Sequence, residues 1–344
     1  RSRTASSGRN KTTGVSTAAL ELVPLAGQGA RSLRRFGAVA RRLHRKHPQW
    51  VGPLGREVRA VLGPRNPFWA HADLRLWIAR RGDVDVGRIA SIRDSTFARL
   101  HGPATHFGWL ASEDDPAVTR LLFSAVEDWS RENGDVRILG PFNPSLNEEA
   151  GLLVEGFDDP PTVLTTWNPP ACPSLVEAAG YRKAKDLIGF EFRLRDAHLD
   201  RLNRLAARFR RRHPELDVRP VTKHTVAGEL EGIRALYNDA WEDNWGAVPF
   251  TPAELDYLVE RLVPLLVDGL VWIARQGDEA RAVLLAVPDT NEIIRPLGGR
   301  LLSPGLLRAL PGLVGLRRPR RVRVVALGVD NRLRGRGVEA VLFA

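Results

Sequence analysis

Apolar and polar positions alternate most clearly over residues 74–91. Leu74, Leu76 and Ile78 share one face, Arg81-Gly82-Asp83 turns the chain, and Val84, Val86, Ile89 and Ile92 return, the pattern of a β-hairpin. A second strong pattern fills residues 321–344. There a β-branched alternation (Val322, Val324, Val325, Leu327, Val329) runs into Arg334-Gly335-Arg336-Gly337, after which Val338, Val341 and Leu342 take helical spacing. Strand, glycine-rich loop and helix start follow in that order.

Between these patterns, Leu33, Phe36, Val39 and Leu43 mark a basic amphipathic helix that ends before His47-Pro48. Residues 47–51 and 66–69 read as loops with aromatic anchors. A strand is predicted over 105–110, then a helix carrying Val118, Leu121, Leu122, Ala125, Val126 and Trp129, closed by Asn133-Gly134. A buried strand over 136–139, a short helix over 174–179 and a strand over 187–194 complete the first half. Residues 140–170 show neither period, yet Leu152, Leu153, Val154, Phe157 and Trp167 argue for order. Asn143, Asn147, Glu148, Glu149 and Asn168 there either line a pocket, with a carboxylate as base, or tie a cover to the sheet.

An arginine-rich helix over 197–213 reads as a connection to a second half with a strand over 216–221 and helices over 226–241 and 252–266. Then Val271-Trp272-Ile273-Ala274-Arg275-Gln276-Gly277-Asp278 echoes Leu76-Trp77-Ile78-Ala79-Arg80-Arg81-Gly82-Asp83, 195 positions on. A return strand over 280–287 and a helix over 304–316 lead to the final strand. With the matching order of elements, the echo predicts an internal duplication.

Composition changes this picture little. At 344 residues and 43% hydrophobic content the chain fills two domains, and the net charge of +11 admits an anionic ligand or nucleic acid. Only five residues are lysine, however, and the arginines are spread throughout, so nucleic acid is not favoured as partner. The lone Cys172 forms no intrachain disulfide, and no Cys/His cluster has zinc-ligand spacing, so a cytoplasmic protein without a metal is expected. The most apolar run, residues 262–274, is broken by Asp268 and falls short of the ~20 residues of a membrane span. No membrane partner is expected. Residues 1–29 read as a disordered leader.

The loop at 334–337 resembles the coenzyme A pyrophosphate loop of the GNAT N-acetyltransferases, Q/R-x-x-G-x-G/A. One register uses Arg334 to Gly337 and puts Glu339 where Gly or Ala is expected; the other matches Arg332, Gly335 and Gly337. The first starts the helix where the apolar period starts, and Glu339 then opposes tight pyrophosphate binding. In the first half the corresponding position, residues 112–116, holds three acids and no glycine, which predicts no such site there. The P-F-N-P-S-x-N-E-E and W-N-P-P runs of residues 140–187 also resemble a bacterial family of uncharacterised GNAT-like proteins.

The resemblance implies an α/β (α+β) chain of two tandem GNAT-like domains, each a mixed, mostly antiparallel sheet flanked by helices. They are expected over residues 30–195, with a degenerate coenzyme A loop, and 196–344, lacking its last elements. It further implies acetyl-coenzyme A or another acyl-coenzyme A as cosubstrate and the amine of a small molecule or peptide as acceptor. Backbone near Leu327 and Val329 would polarise the thioester, and Arg334, Gly335, Arg336 and Gly337 would hold the pyrophosphate. The region bordering the acceptor offers Asn238, Trp241, Asn244 and Trp245, with Asn147 from the long loop and three acids, Asp239, Glu242 and Asp243. Aromatics beside acids suit a cationic amine, whereas Trp241 as core is the plainer reading. Glu242 and Glu148 are the candidate catalytic residues. Two other readings stay open: a tandem-GNAT aminoacyltransferase using aminoacyl-tRNA, and a scaffold with decayed sites.

Overall fold

The computed structural model describes residues 18–193 and 198–344. Strand β1 (Leu20–Pro24) opens the chain, followed by α1 (Ala30–His44), α2 (Gly55–Leu62), β2 (Ala72–Arg81), β3 (Val84–Asp94), α3 (Ser95–His101), β4 (Thr105–Ser112), α4 (Pro116–Glu132) and β5 (Ile138–Leu139). They form one sheet in the order β1-β2-β3-β4-β5, antiparallel except between β4 and β5. Strand alternation sorts its two faces. Leu76, Ile78 and Ala90 meet Leu33, Phe36 and Val39 of α1, while Ala79, Val86 and Ile89 meet Val118, Leu122 and Val126 of α4.

After β5 come β6 (Phe142–Asn143), β7 (Glu149–Ala150) and α5 (Cys172–Ala178). The second sheet runs β8 (Asp217–Pro220), β9 (Val271–Gln276), β10 (Glu279–Pro288), β11 (Val322–Val329), all antiparallel, with β11 at its edge. Between β8 and β9 lie α7 (Val226–Trp241) and α8 (Pro252–Leu262), packed through Val226, Val271 and Ile273. Thr251 and Glu254 form a capping box that starts α8, with Pro252 at its first turn. On the other face, α6 (Leu199–Arg212) and α11 (Val338–Phe343) meet Ala274, Ala282 and Leu284. Two short helices, α9 (Asn291–Ile294) and α10 (Leu306–Leu313), stand between β10 and β11.

Both units thus read β-α-α-β-β-β-α, with extra helix only between the third and fourth strands. The fold is mixed α/β in two tandem units, as the resemblance implies, and the Trp77 and Trp272 segments occupy equivalent hairpins.

Four expectations are corrected. Of the supposed leader, residues 1–17 lie outside the described residues, but Leu20–Pro24 is an edge strand paired with β2, its short length hiding the alternation. The 136–139 strand shrinks to β5 with Val136 exposed, because β5 meets β4 at two positions only. Residues 187–193 form no strand: Phe190 and Phe192 are 80% and 89% exposed, and among the described residues no strand pairs with them; Leu194 lies outside the described residues. The arginine-rich α6 is no mere connection, since Ala206 and Phe209 bury against the second sheet and leave the arginines outside.

The units are pinned together. Tyr257 on α8 donates to the Ala60 carbonyl at 2.9 Å, and His101 meets the Ala247 carbonyl at 2.7 Å. Asp289, fully buried, accepts from the Val163 amide at 2.9 Å and pairs with Arg321 at 2.6 Å, while Arg323 donates to the Val163 carbonyl at 2.8 Å.

Candidate functional site

The edge strand β11 carries a β-bulge. Leu285 faces Ala326 and Ala286 faces Val324, so Val325 has no opposite number. A bulge takes backbone out of the ladder and re-aims it, here two residues before the Leu327 to Val329 stretch expected to polarise a carbonyl. The first unit has the matching irregularity on β4, where Trp109 takes φ +46°. There the Trp109 amide donates to the Asn143 side chain at 2.7 Å, and Gly108 packs so tightly on the Phe142 carbonyl that a Cβ would lie 2.0 Å from it. The first unit's bulge is plugged by its own loop.

Beyond β11 the chain turns through Gly335 (φ +70°) and Gly337 (φ +95°), left-handed positions that suit glycine. Among the described residues the Gly335, Gly337 and Val338 amides make no hydrogen bond, which fits an anion. Arg334 is exposed but committed to backbone, donating to the Val329 carbonyl at 3.2 Å and the Ala240 carbonyl at 2.8 Å, and so ties the loop to α7. Arg332 and Arg336 remain as exposed cations, and Glu339 stands in the first turn of α11. The loop therefore fits a phosphate through amides and Arg336, with Glu339 opposing.

At the end of α7 most expected acceptor-binding side chains are committed elsewhere. Trp241 stacks on Tyr237 at 4.4 Å and lies against Gly328, where a Cβ would be 2.8 Å from the ring. It is packing between α7 and β11. Asn238 spends both ends of its amide on Phe250, accepting from its N–H at 2.9 Å and donating to its carbonyl at 3.1 Å. Asn147 likewise donates to the Val248 carbonyl at 2.7 Å and accepts from the Tyr237 hydroxyl at 3.3 Å. Glu242 and Asn244 are exposed on the following turn, and Trp245 lies across from Phe142 at 6.4 Å.

The long loop holds the site's titratable centre. Its two short strands, β6 (Phe142–Asn143) and β7 (Glu149–Ala150), pair Asn143 with Glu149, and the Asn143 amide donates to Glu149 at 3.5 Å. Burial pushes Glu148 and Glu149 up to about 7 each, against the pull of Arg261 and Asn143 respectively. Glu148 faces a narrow cleft between the units, lined also by Asn66, Ser145, Glu254, Tyr257 and Arg261, with Arg261 at 3.6 Å. Glu149 lies where its charge acts on Arg323 of β11. Behind the cleft, His71 Nδ1 meets Asp94 at 3.0 Å and Nε2 meets Glu254 at 3.2 Å. These two carboxylates raise the His71 pKa to about 10, so the ring is a cation between them.

Of the expected residues, Glu148 and Asn147 come together at the seam of the units, Trp241 joins them through Tyr237, and Glu242 stays apart. Missing from the sequence reading were His71, Glu254, Tyr257, Arg261 and the bulge at Val325. His71 and Glu254 are 183 positions apart, and no local period signals such a pair. The Thr251-Pro252 helix start is the one trace, since it fixes Glu254 at the capping position.

No family model matches the chain. It is 41% identical over 285 residues to the "Bacterial ceramide synthase" of Caulobacter vibrioides (strain NA1000 / CB15N), covering 81% of this chain and 73% of that protein. It is 32% identical over 280 residues to Protein YghO of Escherichia coli (strain K12), covering 81% and 71%. Among solved structures, a tandem GNAT protein from the clavulanic acid biosynthesis pathway aligns with 94% of this chain and 83% of its own at 12% identity and a TM-score of 0.49. An aminoglycoside acetyltransferase, meta-AAC0020, in complex with sisomicin aligns with 51% of this chain and 96% of its own at 13% identity and a TM-score of 0.32.

Proposed function

This chain belongs to the family of the Caulobacter vibrioides bacterial ceramide synthase and Escherichia coli Protein YghO, and from that membership we propose that it is an N-acyltransferase using an acyl-coenzyme A. Its acceptor would be the amine of an amphiphilic amino alcohol, as the first relative's name indicates, rather than that of a peptide. Bound acyl-coenzyme A would supply an activated thioester, whose C–S bond breaks as the amide C–N bond forms.

The observation that carries the reading is the pair Glu148 and Glu149, adjacent and half-buried at the seam, both pushed up to about 7 by desolvation. A carboxylate with that pKa takes a proton from an ammonium or attacking amine near neutral pH far better than an ordinary one. The bulge at Val325 supports the same reading, because backbone that a bulge takes out of register would offer an N–H to charge on a carbonyl oxygen. The plug in the first unit leaves the second as the working half.

The test is amine-dependent release of free thiol from a long-chain acyl-coenzyme A. Glu148→Gln or Glu149→Gln is expected to lower kcat by about 10²- to 10⁴-fold, and Arg336→Glu to weaken acyl-coenzyme A binding. Arg334→Glu is a poor probe, since that side chain holds the loop on α7. No thiol release with any amino-alcohol acceptor would sink the proposal. Aminoacyl transfer from tRNA is the second reading, favoured by the outward arginines of α6; tRNA binding that weakens steeply with salt, without thiol release, would replace the first reading with it.

A further inference from the structure

The connection between β10 and β11 is where the second unit departs most from the first, which places only α3 there. One side of it is firmly anchored. Ala309 and Leu306 of α10 pack on Leu297 and on Leu54 of the first unit, and Gly312 sits so close to Ile293 that a Cβ would lie 2.6 Å away. The other side faces solvent with leucine. Leu302, Leu307 and Leu316 are 86%, 81% and 85% exposed, and Leu310 and Leu313 are exposed beside them. Seven of the 22 exposed large apolar side chains among the described residues fall within residues 301–316. Single exposed leucines need no explanation, but a held cluster of them marks a docking surface.

The charges around the cluster say what docks. Residues 300–321 contain six arginines and no lysine, aspartate or glutamate. Arg321 is neutralised by Asp289 and Glu292. The other five (Arg300, Arg308, Arg317, Arg318, Arg320) form no ion pair among the described residues and are exposed.

We propose that residues 300–321 dock this protein on the surface of an anionic lipid bilayer. The leucines enter the boundary between headgroups and acyl chains, and the arginines pair with lipid phosphates. The same charges disfavour a second copy as occupant, since a symmetric contact would set the arginine cluster against itself. A nucleic acid would satisfy the arginines and leave the leucines in water. The segment leads directly into Val322, the end of β11 opposite the glycine turn, which is also the end where Glu149 and Arg323 lie. This surface stands independently of the acyl-transfer reading, because vesicle binding involves no chemistry.

Cosedimentation of the full chain with phosphatidylcholine vesicles, with and without about one-third phosphatidylglycerol, tests it. The expected result is binding to the anionic vesicles that weakens with salt and is slight with phosphatidylcholine alone. The triple variant Leu302→Ser, Leu307→Ser, Leu316→Ser and the double variant Arg317→Glu, Arg318→Glu should each weaken binding about tenfold or more, with unchanged thermal unfolding. Arg201→Glu with Arg208→Glu on α6 makes the same charge change elsewhere and should leave binding within about twofold. Failure of the wild-type chain to bind anionic vesicles would overturn the proposal. So would equal loss in the α6 variant, which would indicate net charge alone. A wild-type chain that is oligomeric without vesicles, by analytical ultracentrifugation, and a leucine variant that is monomeric under the same conditions would instead make the patch a contact between copies, and would overturn the proposal too.

Discussion

Glu148 and Glu149 owe their character to burial, and that fixes how pH acts on them. Their folded pKa values lie near 7, above the ordinary carboxylate value of 4.5. The stability this contributes is fully present below about pH 4.5 and is lost as pH rises through 7. Glu149→Gln removes a carboxylate that must otherwise ionise in place. It should therefore raise stability relative to the wild type on the order of 1–3 kcal/mol more near pH 8 than near pH 5, read from urea midpoints at the two values. Activity should run the other way, rising with pH through about 7 as the base deprotonates, and this limb should disappear in the variant lacking the true base. His71 has the opposite charge and the same sign of shift. Its folded pKa of about 10 lies above 6.5, so its contribution is complete below 6.5 and is lost as pH rises through 10. Replacing it with Phe removes the cation from Asp94, which is almost wholly buried and keeps only its cap on the Thr96 amide, and should cost about 3 kcal/mol at neutral pH, measured by denaturant unfolding.

The contact between α7 and β11 depends on a residue without a side chain. Gly328 lets the Trp241 ring lie directly on the strand, and a Cβ there would meet it at 2.8 Å. Gly328→Val should lower stability by about 1–3 kcal/mol, with Trp241→Leu in the same chain recovering part of it, as followed by thermal unfolding. At this scale most of the chain was legible: α1, α4, α7 and both hairpins follow their apolar periods, and Pro252 marks the start of α8. The strands that were not legible share one reason. Residues 187–193 have a strand's alternation, but a strand exists only where a neighbour completes its hydrogen bonds. Conversely, β1 has a weak pattern and is a strand because β2 supplies a partner. Trp241 and Asn238 have chemistry that suits a ligand, yet packing and the Phe250 backbone take them up first.

The two units behave as one body because a few polar groups cross the seam. Asp289 holds the Val163 amide and Arg321, and Asn291 holds the Pro161 carbonyl at 3.0 Å. Asp289→Ala should leave both sheets folded while freeing residues 155–166. Faster proteolytic cleavage there, with a thermal transition that broadens or splits in two, is the expected outcome, and unchanged cleavage would count against the latch. The expectation of no membrane partner belongs to this scale as well. It came from the lack of a span, and among the described residues no helix is long and apolar enough to cross a membrane. A leucine and arginine surface docks without crossing.

By itself the sequence determined which residues form the longer helices and the two hairpins, the duplication that Trp77 and Trp272 announce, and the strand, glycine turn and helix start of residues 321–344. These depend on neighbours a few positions apart, where periodicity and turn chemistry act. Only the tertiary structure decided which polar groups remain available. It spent Asn147, Asn238 and Arg334 on backbone carbonyls and amides, stopped the first unit's bulge with Asn143, and left Val325 with no residue opposite it. It also half-buried Glu148 and Glu149 at a seam built from both halves. A pKa near 7 is a property of that enclosure, since burial and distant partners set it and no local spacing encodes them.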